Sequence, residues 1–144
     1  MKYQQTKLIG KWVALALAAV ILGGCASTGG GSKKARGPVV DRAEARWEAL
    51  LAQDFDSAYE YYSPGFRSST SRGDFELGQR LRKVQFTDAE YEDQDCSENR
   101  CTLSFKMFYT IASPVPGVDT WNGNDVLEET WIRTEGQWWF LPED

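Results

Sequence analysis

Thr102-Leu-Ser-Phe-Lys-Met-Phe-Tyr-Thr-Ile111 alternates between apolar and polar residues, placing Leu103, Phe105, Met107, Tyr109 and Ile111 on one face and Thr102, Ser104, Lys106 and Thr110 on the other. Successive side chains of a β-strand point to opposite sides, so this stretch reads as a half-buried strand. Val84 to Asp95 reads as the strand before it, with Cys96-Ser-Glu-Asn-Arg-Cys101 as the turn between the two. Downstream, Val126 to Thr134 and Gln137 to Leu141 make a second hairpin about Glu135-Gly136.

Upstream of residue 84 the apolar spacing changes to that of helices. Asp41-Arg-Ala-Glu44 has the spacing of a capping box, and Ala43, Trp47, Leu50 and Leu51 recur at helical intervals, predicting a first helix from about Arg42 to Gln53. Asp54 and Asp56 can cap a second helix carrying Ala58, Tyr59 and Tyr62, which Ser63-Pro64-Gly65 stops. A third helix is expected over Phe75 to Lys83, with Asp74 and Glu76 at its positive end and Arg80, Arg82 and Lys83 at its negative end. Helices followed by antiparallel strands define an α+β domain.

Three helices leading into a curved sheet that ends in the hairpin Trp131-Ile-Arg-Thr-Glu-Gly-Gln-Trp-Trp-Phe140 resemble the nuclear transport factor 2-like superfamily. Arg46-Trp47 through Asp54, then Ala58-Tyr59 to Ser63-Pro64-Gly65-Phe66-Arg67, is similar to the opening of many small members. The resemblance covers roughly residues 41 to 142 and implies a cone, with helices closing one side of the sheet around a cavity. It implies no single activity, because this superfamily hosts isomerases, dehydratases and non-catalytic binding modules.

The chain of 144 residues has room for one such domain, with 42% hydrophobic and 26% charged residues as in ordinary globular proteins. Its 13% aromatic content, with six Trp, calls for an aromatic core or an aromatic pocket. Charge is unevenly placed: Lys2, Lys7 and Lys11 precede every acidic residue. Without those three, 13 of the 16 basic residues stand against 21 acidic ones, a net charge of −8. Such a field repels phosphate backbones and anionic head groups, so no nucleic acid partner is expected. With no His in the chain, the commonest metal ligand and the commonest general base are both missing, and no metal or cofactor site is expected.

The first 24 residues read as an export signal: the three lysines, an apolar run of 11 residues from Trp12 to Leu22, then Gly23-Gly24 before Cys25. The run is too short to span a bilayer, which takes about 20 residues. Leu22-Gly23-Gly24-Cys25 resembles the bacterial lipobox. That resemblance implies a diacylglyceryl group, such as one carrying palmitate, on the Cys25 thiol and cleavage immediately before it; two or more acyl chains then hold the protein on a membrane. Ala26 and Ser27 in place of an Asp imply transfer to the outer membrane, with the domain facing the periplasm. Residues 25–40 are read as a lipidated flexible tether, Gly- and Ser-rich from Ala26 to Gly37, and residues 41–144 as the domain. Twelve extended residues from Ala26 to Gly37 reach about 40 Å.

Cys96 and Cys101 flank a turn in a chain expected outside the cytoplasm, so they are expected to form a disulfide. Trp47, Tyr59, Tyr62, Tyr109, Trp121, Glu129, Trp131 and Trp139 are the candidate lining of a cavity or partner surface, suited to a small apolar ligand or an envelope protein. By alternation Trp131 could share a face with Trp139, and Trp138 with Phe140. Trp121 is read in a long connection, Ser113 to Gly123. The leading reading is a non-catalytic binding domain. The alternative is an isomerase- or dehydratase-like enzyme using Glu128 or Glu129, of which adjacent strand positions allow only one to face a cavity, together with a Tyr.

Overall fold

The structure is a computed structural model that describes residues 36–112, 116–117 and 119–143. The export signal, the lipobox with Cys25, and most of the tether lie outside the described residues. Four helices precede four strands: α1 (Pro38–Leu51), α2 (Phe55–Tyr59), α3 (Pro64–Ser69), α4 (Arg72–Arg80), β1 (Val84–Cys96), β2 (Arg100–Ala112), β3 (Thr120–Thr134) and β4 (Gln137–Leu141). The strands form one antiparallel sheet in the order β1-β2-β3-β4, the α+β order expected.

Each helix start has a local cause. Gly37 is the extended cap of α1 and Pro38 occupies its first turn, where proline's missing N–H costs nothing. Asp41 therefore lies inside the first turn and is not the cap, and Pro38 to Val40 belong to the domain instead of to the tether. The Asp54 side chain accepts from the Ser57 N–H, Ser63 from the Phe66 N–H and Ser71 from the Asp74 N–H, capping α2, α3 and α4. Ser63-Pro64-Gly65 thus opens a helix where a stop was expected, since a capping Ser before a Pro also suits a first turn. The last helix runs Arg72–Arg80, earlier than its expected span, because Ser71 fixes its start.

The sheet is long on β2 and β3, which pair without interruption from Arg100↔Ile132 to Ala112↔Thr120. β1 carries irregularities between Phe86 and Asp88 and between Tyr91 and Asp93, and bulges of this kind bend a strand and increase its twist. The β3-β4 turn is formed by Glu135 (φ 52°) and Gly136 (φ 80°), both left-handed as a type I′ hairpin requires. The free edge of β4 is covered by the α2-α3 connection: Phe140 N–H donates to the Tyr61 carbonyl and Ser63 N–H to the Phe140 carbonyl, each at 2.8 Å. The other edge, β1, bears Asp88, Glu90, Glu92, Asp93 and Asp95, charges that discourage pairing with another strand.

The main core joins Val39, Val40, Ala43 and Trp47 of α1 to Tyr91, Cys101, Leu103, Phe105, Met107 and Trp131 of the sheet. A second cluster of Ala58, Tyr59, Tyr62 and Phe75 fastens α2 and α4. Cys96 and Cys101 are cross-strand partners joined by a disulfide, with Cα atoms 4.1 Å apart. It closes the end of the β1-β2 hairpin, beside the point where the chain joins α1.

Trp121 departs from expectation. It stands in β3 opposite Ile111, five residues before the strand was expected to begin, and is 49% exposed. The run Asn122-Gly-Asn124 hides the strand from a propensity reading. In the structure the Tyr109 ring lies over Gly123, where an added Cβ would come within 2.7 Å of the ring, so glycine is the residue this close approach needs.

Candidate functional site

A buried ion pair ties the helices to the sheet. Arg46 lies on the α1 face that carries Ala43 and Trp47, and Glu129 has the core-facing parity of Trp131 on β3. Arg46 Nη1 donates to Glu129 Oε1 at 2.7 Å, and the two side chains are 4% and 1% exposed. Trp131 Nε1 donates to Glu129 Oε2 at 3.1 Å, and Arg46 Nη2 donates to the Tyr62 hydroxyl at 3.3 Å. The guanidinium also lies over the Phe140 ring at 3.8 Å. Burial works against its charge, but Glu129 and then Tyr62 outweigh that, so the Arg46 pKa is raised.

Glu129 is therefore not poised as a base. Both of its oxygens accept from N–H donors, its side chain is 1% exposed, and it does not line the cleft described next. Glu128 is exposed on the opposite face. Removing one partner of such a pair strands a buried charge, which makes the pair a fixture of the fold.

Beyond this pair the helices and sheet part to leave a cleft of about 340 Å³, at the lower end of the roughly 300–1,000 Å³ that holds small molecules. Trp47, Leu50, Leu51, Phe55, Tyr62, Val84 and Phe86 supply its apolar and aromatic walls. Its polar groups are Gln53, Gln79, Gln85, Thr87 and the arginines 46, 80 and 82; no acidic residue lines it. Arg80 is held by Glu76 at 2.8 Å and lies 5.0 Å over the Phe55 ring. Among the described residues no group of three or more Cys, Asp or Glu is placed to hold a metal ion.

Of the eight candidates expected from sequence, only Trp47 and Tyr62 line this cleft. Trp131 is fully buried at the closed end, paired with Phe140, so Trp139 takes the other face. There Trp139 is flanked by Arg42 at 5.5 Å and Arg67 at 5.0 Å. Tyr59 is core, its hydroxyl donating to the carbonyl of Thr70 at 2.7 Å. Tyr109 and Trp121 belong to the far half of the β2-β3 hairpin. Sequence reasoning missed Arg46, Arg80, Arg82 and Phe86. Only Arg46 left a signal, a charged residue on an otherwise apolar helix face.

The class this geometry defines is an α+β domain with helices packed on one face of a four-stranded antiparallel sheet around a one-ended cleft. No protein-family model matches the chain, and no curated protein matches it either. Solved structures share the fold. A SEC-C motif-containing protein from Rhodopseudomonas palustris aligns with a TM-score of 0.53 at 15% identity, over 69% of this chain and 71% of its own. One from Psychrobacter arcticus aligns at 0.51 and 12% identity, over 77% of this chain and 63% of its own length. A protein of the NTF2-like family from Streptomyces avermitilis aligns more weakly, at 0.47 and 14% identity, over 71% of this chain and 88% of its own. Likeness at these identities concerns the fold alone.

Proposed function

We propose that this protein is a bacterial envelope lipoprotein, anchored through acyl chains on Cys25, whose nuclear transport factor 2-like domain binds a small molecule without transforming it. The observation that carries the binding half is the cleft: apolar walls with a few polar groups converge on it, while the one buried carboxylate among the described residues, Glu129, is consumed by structural bonds. The anchoring half rests on the export signal and Leu22-Gly23-Gly24-Cys25, with Ala26-Ser27 favouring the outer membrane and a domain facing the periplasm.

Geometry suits a tethered receptor. The chain joins the domain at Gly37, beside the disulfide, whereas the cleft lies at the other end of α1, about 20 Å away for 14 helical residues. Arg36 is fastened there to Glu44 at 3.0 Å and to the face of Tyr91. The opening thus points away from the attachment point.

Cys25→Ala should abolish incorporation of radiolabelled palmitate and release the protein from the membrane fraction; a retained label sinks the anchoring half. The domain should also show no turnover of any ligand it binds. Product formation that vanishes in Glu128→Gln would restore the enzymatic reading.

A further inference from the structure

The cleft carries a chemical preference that its volume alone does not reveal. Among the described residues of this acidic chain no Asp or Glu lines it, and three arginines do. Two lining residues also hold buried donors that no protein atom satisfies, Arg46 Nε and Trp47 Nε1. Buried donors are almost always paired, so an unpaired couple on one wall marks a missing acceptor.

The two donors stand on neighbouring side chains, the Arg46 guanidinium lying over the Trp47 ring with its carbon 4.9 Å from the centroid. Arg46 uses Nη1 for Glu129, but along its Nε-Nη2 edge it makes only the 3.3 Å bond from Nη2 to Tyr62. That edge is the fork that grips a carboxylate with two parallel N–H bonds. One guanidinium can thus serve Glu129 with one side and a second carboxylate with the other. Above it, Leu50, Leu51, Phe55, Val84 and Phe86 offer apolar walls.

We propose that the cleft binds a small carboxylic acid with an apolar body, its carboxylate taken by Arg46 Nε and Trp47 Nε1 and its body held by the walls, with Arg82 at the rim favouring the anion. This rests on the reading of the cleft as a ligand site. Neither donor nitrogen touches solvent, so a ring must turn to admit the acid. Phe86 is half-buried, packs edge-on against Trp47 at 5.3 Å, and adjoins the irregularity in β1.

The test uses the full-length protein in detergent and three probes of equal chain length: octanoate, 1-octanol and octylamine. Octanoate should bind at least about tenfold more tightly than either of the others, a single charged hydrogen bond being enough for that ratio. It should also move the Trp47 indole N–H resonance, identified by its loss in Trp47→Phe. Trp47→Phe and, independently, the exposed-site variant Arg82→Gln should each weaken octanoate severalfold more than they weaken octanol. Equal binding of octanoate and octanol, or tighter binding of octylamine, would overturn the carboxylate preference while leaving a ligand site. Binding of none of the three would overturn both.

Discussion

The two ends of the sheet are built from similar residues and do opposite things. At one end Leu103, Phe105 and Trp131 are wholly buried beneath α1, the Arg46–Glu129 pair is sealed in, and a disulfide fixes the hairpin. At the other, the same strands continue as Tyr109, Ile111 and Trp121, while Leu81 at the end of α4 is 71% exposed. Composition does not separate them. What does is the placement of α1 and β4: β4 pairs with β3 only from Thr130 to Thr134, and the buried α1 residues cluster with Cys101, Leu103, Phe105, Met107 and Trp131. Under the helix the apolar residues of the strands become core, and past it Trp121 is left half exposed.

The comparison is most easily broken at the buried pair. Glu129→Ala should cost about 3–5 kcal/mol by urea titration, because it leaves the Arg46 charge buried without its partner. Replacing both, as Arg46→Met with Glu129→Leu, should recover most of that loss. A loss under about 1 kcal/mol for the single change would mean that the closed end does not depend on the pair. Joint replacement of Cys96 and Cys101 by Ser should cost about 2 kcal/mol in thermal melts, the unfolded-chain entropy of so short a loop.

At the open end Gly123→Ala should cost roughly 1–2 kcal/mol, because its Cβ meets the outer end of the Tyr109 ring, which must shift. A cost as large as that of Glu129→Ala would show the open end to be packed as tightly as the closed one. The smallest effect belongs to neither end. Arg72 hydrogen-bonds Glu60 on the helical surface, and together with Arg67 it holds the Glu60 carboxyl below its ordinary value of 4.5. A depressed carboxyl contributes stability that is present above its unfolded value and lost as pH falls. Arg72→Gln should therefore cost the least of these changes at pH 7, and the difference should shrink below pH 4.5.

Much of this fold was legible in the sequence, and the failures share a cause. Alternation in Thr102 to Ile111 is strong enough to define β2, and Glu135-Gly136 can hardly be other than a tight turn. The start of α1 was hidden because its cap, Gly37, offers no side-chain signal, and Pro38 looks like tether until the helix follows it. The extension of β3 to Thr120 was hidden because Asn122, Gly123 and Asn124 are poor strand formers; a ring on the neighbouring strand supplies what they lack. The site was less legible than the fold. Arg46 and Glu129 each stand at a core-facing position, but 83 residues separate them, and no local pattern links positions so far apart. Arg80 and Arg82 read as helix-end charges, which they also are.

Amide hydrogen exchange along β2, the central strand common to both ends, tests the contrast most directly. The amides of Leu103 and Phe105 should exchange only through global unfolding, and those of Tyr109 and Ile111 at least about tenfold faster through local opening. Equal protection along the whole strand would contradict the account, because it would mean that the end described as open is as firmly closed as the other.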